Sequence, residues 1–223
     1  FAPDFRLCNA VIDAVALNYN VGEDTLLNID DEKEHFLIGS SACRNVRDNQ
    51  ENVYLRNAVQ SFKSPSEDII GIYLLGLDKS DSVNRQYFII LTKKHMHLRF
   101  GEAGIREYDY NDIYFTEDGI ANKNCLNNTL LEYPLDSRFV EFANEFLLLK
   151  TAKLSDIGAR HPASDISDPE HKRKYLSFLV DVCIAGGGLT AMQLLKLEYL
   201  ARGFRVSASS LESLIFDALQ DNI

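Results

Sequence analysis

The spacing of apolar residues changes in the middle of this chain, and that change limits its possible folds more than any other feature. Between about Ile69 and Leu135, β-branched and aromatic residues gather in short runs such as IIGIYLLGL at 69–77. Runs of this kind predict strands. On either side, apolar residues recur every three or four positions, which predicts helices. We therefore expect an α+β fold, in which a small antiparallel sheet or partly open barrel is closed by an amphipathic helix and flanked by N-terminal and C-terminal helices.

Turn residues and helix caps divide this pattern into elements. The predicted helices cover residues 4–19, about 30–45, 53–62, 138–151, 170–185, 190–202 and 209–220. The predicted strands cover residues 69–77, 86–100, 105–110, 114–117 and 129–135. A polar, proline-containing stretch at 153–169 predicts a linker. The predicted domains are therefore a helical segment at 1–64, a sheet domain with its closing helix at 65–152, and a three-helix unit at 170–223.

The charge balance disfavours some classes of function. The chain of 223 residues has 33 acidic and 23 basic side chains, a formal charge of −10. Because affinity for nucleic acid comes from clustered Lys and Arg, general nucleic-acid binding is disfavoured, whereas the negative field favours a basic protein partner. No uncharged run approaches the ~18 residues that cross a bilayer, and no signal peptide begins the sequence. The expected location is the cytoplasm.

The four cysteines are far apart and form no C-x-x-C pair. That spacing argues against a zinc ribbon or a redox motif, and a chain this long and apolar rarely needs a disulfide framework. Because free cysteine packs as a small apolar side chain, we predict mostly buried thiols. The residues are Cys8, Cys43, Cys125 and Cys183.

The main candidate for a functional site is the alternating end of the segment 86–100. On a strand, Lys93, His95, His97 and Arg99 would project from one face. Two imidazoles two residues apart can ligate one zinc ion, although the two neighbouring cations oppose a bound Zn²⁺. The same four side chains can instead bind an anion, such as a phosphoinositide headgroup or an acidic peptide. A third interpretation is a solvated polar face without a ligand.

The remaining motifs give no sign of catalysis. Gly186-Gly187-Gly188 lacks the Gly-Lys-Ser/Thr ending of a phosphate-binding loop and does not follow a strand, so it predicts a turn between two helices. Neither Cys43 nor Cys183 lies in a nucleophile motif, and Ser40-Ser41 does not fit a nucleophile elbow. The sequence favours a protein that is not an enzyme, and it predicts no catalytic residue and no cofactor.

Residues 53–150 follow a recognisable order of elements. A helix at Leu55–Phe62 precedes strands at Ile69–Leu77 and Tyr87–Phe100, and then come Tyr108-Asp109-Tyr110-Asn111-Asp112-Ile113 and an amphipathic helix at Phe139–Leu149. In this order the block resembles the bacterial pleckstrin-homology-like domains. The resemblance implies a non-enzymatic domain that presents an edge strand or a strand face to a protein partner.

The C-terminal helices, at about 170–220, carry a second pattern. Ala185-Gly186-Gly187-Gly188-Leu189-Thr190-Ala191-Met192-Gln193 is followed by Leu200-Ala201-Arg202-Gly203-Phe204. This segment resembles part of the TerB-like helical family of tellurite resistance. The acidic position of the family holds glycine here, and Gln193 stands where its glutamate is expected, so no metal role is carried over. Together the two resemblances imply a bacterial origin and a setting of stress or defence.

From these features we expect a non-enzymatic protein–protein interaction or scaffold protein with a protein partner. The first alternative is a module that binds anionic lipid or a phosphate ligand through Lys93, His95, His97 and Arg99, although the overall negative charge disfavours a membrane surface. The second alternative is a metal-binding protein or metalloenzyme that uses His95 and His97.

Overall fold

The computed structural model describes residues 7–19, 35–46, 53–62, 69–78, 85–124, 129–152 and 166–221. These residues form two compact units. A helical unit contains the described residues up to Asn18 and from Leu148 onward, and a sheet unit contains those from Tyr19 to Leu147. The segment 1–64, which the sequence groups together, is therefore divided between the two units. Most of the predicted linker at 153–169 lies outside the described residues.

The described elements are helices, short strands and connecting turns. The helices are α1 (Asn9–Ala16), α2 (Ser40–Asn45), α3 (Val53–Phe62), α4 (Ser137–Thr151), α5 (Pro169–Ala185), α6 (Ala191–Gly203) and α7 (Ala208–Asp221), with a 3₁₀ turn at Leu17–Tyr19. The strands are β1 (His35–Ile38), β2 (Ile69–Asp78), β3 (Arg85–Thr92), β4 (Met96–Arg99), β5 (Ile105–Tyr108), β6 (Ile113–Thr116), β7 (Gly119–Asn122) and β8 (Thr129–Glu132).

The strands form two antiparallel sheets. Sheet A contains β1 to β5 in that order, and sheet B contains β6 to β8. The predicted α+β class is confirmed. The structure has two sheets instead of the single one expected, and in the described part of the chain they do not close into a barrel.

β1 is a strand, so the helix predicted at about 30–45 is wrong over these positions. It pairs with β2, with Phe36 opposite Tyr73, and its apolar residues are buried. Gly39, at a φ of 99°, redirects the backbone, and α2 begins directly after it. Residues 30–34, where we expected the helix to begin, lie outside the described residues. Pairing with a distant strand overrides a local preference, as is usual for β structure.

α2 and α3 cover one face of sheet A. The central strands β2 and β3 are nearly all buried, which explains why their sequences are apolar at odd and even positions alike. On this face, Ile72 and Ile90 lie opposite each other and pack in one cluster with Leu55 and Val59 of α3. The predicted strand at 69–77 and the predicted helix at 53–62 are therefore confirmed.

On the other face of sheet A, α4 joins the two sheets through aromatic contacts. The ring centroid of Phe139 lies 4.8 Å from that of Tyr73 in sheet A and 6.1 Å from that of Phe115 in sheet B. Phe36 of β1 stacks on Tyr73 at 5.8 Å. The hydroxyl of Tyr73 accepts a hydrogen bond of 3.0 Å from the backbone N–H of Asp136, just before α4. The helix predicted at 138–151 is confirmed, and one of its phenylalanines contacts both sheets.

Local caps set the bounds of the C-terminal helices. The carboxylate of Asp168 accepts a backbone hydrogen bond from the first turn of α5. Thr190 and Gln193 form a capping box at the start of α6, which confirms the predicted cap. Ser207 accepts from the N–H of Ser210, so α7 begins earlier than predicted. α7 contacts both α1 and α5, and the three helices share an apolar core.

The glycine run 186–188 packs against α1. Gly187 and Gly188 have φ values of 109° and 116°, a region that residues with a Cβ rarely enter. A Cβ on Gly188 would overlap the side chain of Asn18, which itself donates to the carbonyl of Leu189. The N–H of Leu189 reaches a carbonyl of α1 at 3.4 Å. The glycines therefore form the predicted turn between helices and let this turn approach α1 closely.

Replacing Gly188 with alanine should lower the free energy of unfolding by about 1–3 kcal/mol, because a positive φ is combined with overlap on Asn18. Gly203→Ala is the matched control. The position lies at the end of α6 with open space around it, so alanine should be neutral or stabilise by up to about 1 kcal/mol. Denaturant unfolding followed by circular dichroism measures both variants. Equal losses in the two would contradict the close approach described here.

Candidate functional site

The segment predicted as one strand at 86–100 is a hairpin, so that prediction is wrong. β3 pairs with β4 in antiparallel register, and a tight turn at Lys93–Lys94 connects them. The turn contains no glycine, asparagine or aspartate, the residues that usually mark a two-residue hairpin. Its physical basis is the side chain of Thr92, which accepts hydrogen bonds from the N–H groups of Lys94 and His95 at 3.2 and 3.1 Å.

Tyr110 holds the same turn from the other side. Its buried hydroxyl donates to the carbonyl of Thr92 at 2.5 Å and lies 2.9 Å from the carbonyl of His95. Its ring packs against Phe146 of α4, with centroids 5.1 Å apart. Burial raises the pKa of Tyr110 well above its usual value, so the hydroxyl remains a donor at physiological pH. The buried phenol therefore fixes the position of His95.

Tyr110→Phe should lower the free energy of unfolding by about 1–3 kcal/mol, because it removes the donor from buried carbonyls. The amide NMR signal of His95 should also shift. Tyr114→Phe, at an exposed position of β6, is the matched control and should change stability by less than about 0.5 kcal/mol. A Tyr110→Phe protein as stable as the parent would show that Thr92 alone holds the turn.

β4 and β5 bring two imidazoles to one carboxylate. His97 lies opposite Glu107 in the register of the two strands. The Nδ1 of His95 is 3.2 Å from Oε1 of Glu107, and the Nδ1 of His97 is 3.8 Å from Oε2. The two imidazole centroids are 6.4 Å apart. The alternation predicted from the sequence is confirmed within β4, where buried and partly exposed residues alternate.

His97 is the more enclosed of the two histidines. Its side chain is 12% exposed, and the ring of Phe62 at the end of α3 lies 4.4 Å away between centroids. This burial lowers the pKa of His97 below its usual value, while the carboxylate of Glu107 opposes the change and His95 adds to it. His97 is therefore neutral at physiological pH.

The lowered pKa of His97 should make the protein less stable on acidification. The unfolded chain takes up this proton near pH 6.5, whereas the folded chain resists it until lower pH. The free energy of unfolding therefore decreases as the pH falls below about 6.5. His97→Gln should flatten this dependence. Glu107→Gln should steepen it, because the carboxylate favours the charged imidazole.

Denaturant unfolding at a series of pH values measures these slopes. The predicted order is Glu107→Gln steepest, the parent protein intermediate and His97→Gln flattest. An unchanged slope in His97→Gln would contradict the role given to the burial of this imidazole.

The other two predicted site residues lie at the ends of the cluster. Lys93 is in the turn, not on a strand, and Arg99 is the last residue of β4. The structure therefore brings His95 and His97 together and spreads the two cations along the hairpin. Sequence reasoning missed Glu107, which lies against both imidazoles. Glu107 can be found only from the register of β4 and β5, which places it opposite His97. That register depends on the turn between the two strands and not on residue spacing alone.

Within the described ranges, no group of three or more His, Cys, Asp or Glu residues is placed to hold a metal ion. The described cysteines Cys8, Cys43 and Cys183 form no disulfide with one another; Cys43 is buried and the other two are half-buried. Burial raises the pKa of Cys8 and of Cys183, so both thiols are protonated at physiological pH. Cys125 lies outside the described residues.

β5 is the outermost strand at its end of sheet A, as far as the chain is described. Three of its four residues are exposed, including the apolar Ile105. Phe100, just beyond β4, is exposed as well. An outermost strand presents backbone N–H and C=O groups that another chain can pair with. The residues of the predicted site therefore lie beside an open sheet edge.

In sheet B, the side chain of Asn144 forms hydrogen bonds with backbone groups on the outer edge of β6. The Nδ2 of Asn144, in α4, donates to the carbonyl of Phe115 at 3.0 Å, and its Oδ1 accepts from the N–H of Phe115 at 3.2 Å. The amide thus makes the same pair of hydrogen bonds that a neighbouring strand would make. This part of β6 is not available to another chain, in contrast to β5.

Comparisons with known proteins add no identification. No protein-family model matches the chain, and no curated protein and no solved structure matches it. None of the described helices has both the length and the apolar character needed to cross a lipid bilayer.

Proposed function

We propose that this protein is a non-enzymatic interaction or scaffold protein that binds an extended segment of a partner protein along β5. The open edge of sheet A at β5 is the observation that carries the proposal. A partner segment can add a strand to such an edge, where main-chain hydrogen bonds give affinity and side-chain contacts give specificity. The apolar residues of β1, at the opposite edge, are buried, and Asn144 occupies part of β6. β5 is therefore the better edge for this mode of binding.

The charges beside β5 favour an acidic partner segment. Over residues 93–109 the cations outnumber the acids by four to three: Lys93, Lys94, Arg99 and Arg106 against Glu102, Glu107 and Asp109. This stretch therefore lacks the excess of acids that gives the whole chain its formal charge of −10. Opposite charge on the partner speeds association and fixes orientation. The exposed Phe100 and Ile105 add apolar contacts, so the preferred segment contains both acidic and apolar residues.

The contacts of His95 and His97 support the two alternative functions, binding of an anionic ligand and binding of a metal, less well. An anionic lipid or phosphate ligand would need cationic, accessible imidazoles, but the carboxylate of Glu107 lies against both His95 and His97. An acidic peptide can reach Arg99 and Arg106 without displacing Glu107. The metal-binding alternative gains no support from the described residues, among which no group of three His, Cys, Asp or Glu side chains is placed to hold a metal ion.

The two family resemblances belong to this proposal, together with a cytoplasmic location and a bacterial setting of stress or defence. The position of α4 after the last strand supports the pleckstrin-homology-like resemblance, and the two open sheets count against it. Two helices joined by a glycine turn support the TerB-like resemblance. The use of Gln193 in a helix cap counts against a metal role for that turn.

Selection of displayed peptides of about ten residues, the upper end of common strand lengths, tests the β5 proposal. We expect selected peptides to contain both acidic and apolar residues and to shift the amide NMR signals of β5. Arg99→Glu combined with Arg106→Glu should weaken binding at least about tenfold, and salt should weaken it too. The control, Lys196→Glu combined with Arg205→Glu, makes the same charge change at exposed positions of the helical unit and should have no effect.

Vesicles that contain phosphatidylserine provide the comparison with a lipid ligand. The proposal predicts weak, non-saturating sedimentation with these vesicles. It would be overturned by vesicle binding tighter than peptide binding, or by peptides that shift signals only outside β5.

A further inference from the structure

α5 carries the two most exposed large apolar side chains among the described residues. Phe178 is 60% exposed and Val182 is 52% exposed. They are four residues apart and therefore lie on the same side of the helix. The opposite side of α5 is buried through Leu176, Val180 and Ile184. α5 thus has an apolar outer face in addition to the face that packs in the core.

The charges of α5 change sign along the helix. Its N-terminal half contains the cations Lys172, Arg173 and Lys174, and its C-terminal half contains the acid Asp181. The first turn of α5 follows the helix dipole, because Asp168 caps it and Glu170 lies in it; the three cations come after that turn. Lys174 pairs with Glu170 at 2.8 Å, but both side chains are exposed, so this pair contributes little. The charge order suits a neighbouring helix that runs in the opposite direction.

We propose that the outer face of α5 binds the same face of a second copy of this chain, with the two helices antiparallel. A two-fold axis beside Phe178 brings the two Phe178 rings together. Lys174 lies one turn before Phe178, and Asp181 and Val182 lie one turn after it, so the axis places Lys174 of one copy beside Asp181 and Val182 of the other. The stem of Lys174 covers the apolar Val182, and its ammonium group meets the carboxylate. In this arrangement the apolar residues of the two copies meet, and each Lys174 meets an Asp181 of the other copy.

The association is weak and depends on concentration. One helix from each copy gives an interface at the low end of the size range for protein pairs. Each chain has a formal charge of −10, so two copies repel each other at long range, and physiological salt screens that repulsion. The apolar contact of Phe178 and Val182 remains under these conditions. This surface lies in the helical unit and is independent of the peptide edge proposed at β5.

Sedimentation velocity of the whole chain tests the proposal, over a concentration range of roughly 1–300 µM in physiological salt. We expect a monomer–dimer equilibrium that Phe178→Ser weakens by at least about tenfold. Lys174→Asp and Asp181→Lys should each weaken it, and the double reversal should restore it, because only a self-complementary pair exchanges both charges together. Met192→Ser, at an exposed position of α6, is the control and should leave the equilibrium unchanged.

Three results would overturn the proposal. They are a chain that stays monomeric over the whole range, a dimer that persists in Phe178→Ser, and a double reversal that associates no better than the single ones. Circular dichroism confirms that each variant is folded, which is expected because all the substituted side chains are exposed. Loss of peptide binding at β5 in these variants is not expected, so failure of one proposal can be distinguished from failure of the other.

Discussion

The sheet unit depends on the burial of Phe139 against both sheets. Sheet B has three strands of four residues each, and so small a sheet needs a packing partner to keep its apolar face from water. The ring of Phe139 supplies that partner, since it contacts Phe115 on one side and Tyr73 on the other. Tyr73 also holds the start of α4 through its hydroxyl. One side chain and its two aromatic neighbours thereby set the position of the helix, and the helix positions Tyr110 and the hairpin turn.

The sequence predicts the helices of this chain well and its strand pairing poorly, for a physical reason. Helix signals are local: Thr190 and Gln193 are three residues apart, and the apolar repeat of α3 or α4 lies within one segment. Strand signals are not local. β1 is recognisable only through its pairing with β2, more than thirty residues away. The turn at Lys93–Lys94 is held by Thr92 and by the distant Tyr110, so its own residues give no indication of a turn.

The candidate site shows the same division. The alternation in β4 is visible in the sequence, and so are the histidines. Their environment is not, because Glu107 comes from the next strand and Phe62 from α3, which lies between β1 and β2 in the chain. Glu107 places a carboxylate against both imidazoles, and Phe62 encloses His97. The open edge at β5 likewise follows from sheet order, which no single segment reveals. The more specific the functional statement, the more it depends on contacts between distant parts of the chain.

The hydrogen bonds of Asn144 affect how long the edge of β6 is exposed to other chains during folding. Its amide covers the backbone of β6 from a position 29 residues later in the chain. The hairpins of sheet B can form before α4 is in place, because their contacts are local and close quickly. Until α4 docks, the outer backbone of β6 is bare and can pair with another nascent chain. During the interval between hairpin formation and helix docking, the outer edge of β6 is therefore open to pairing with another chain.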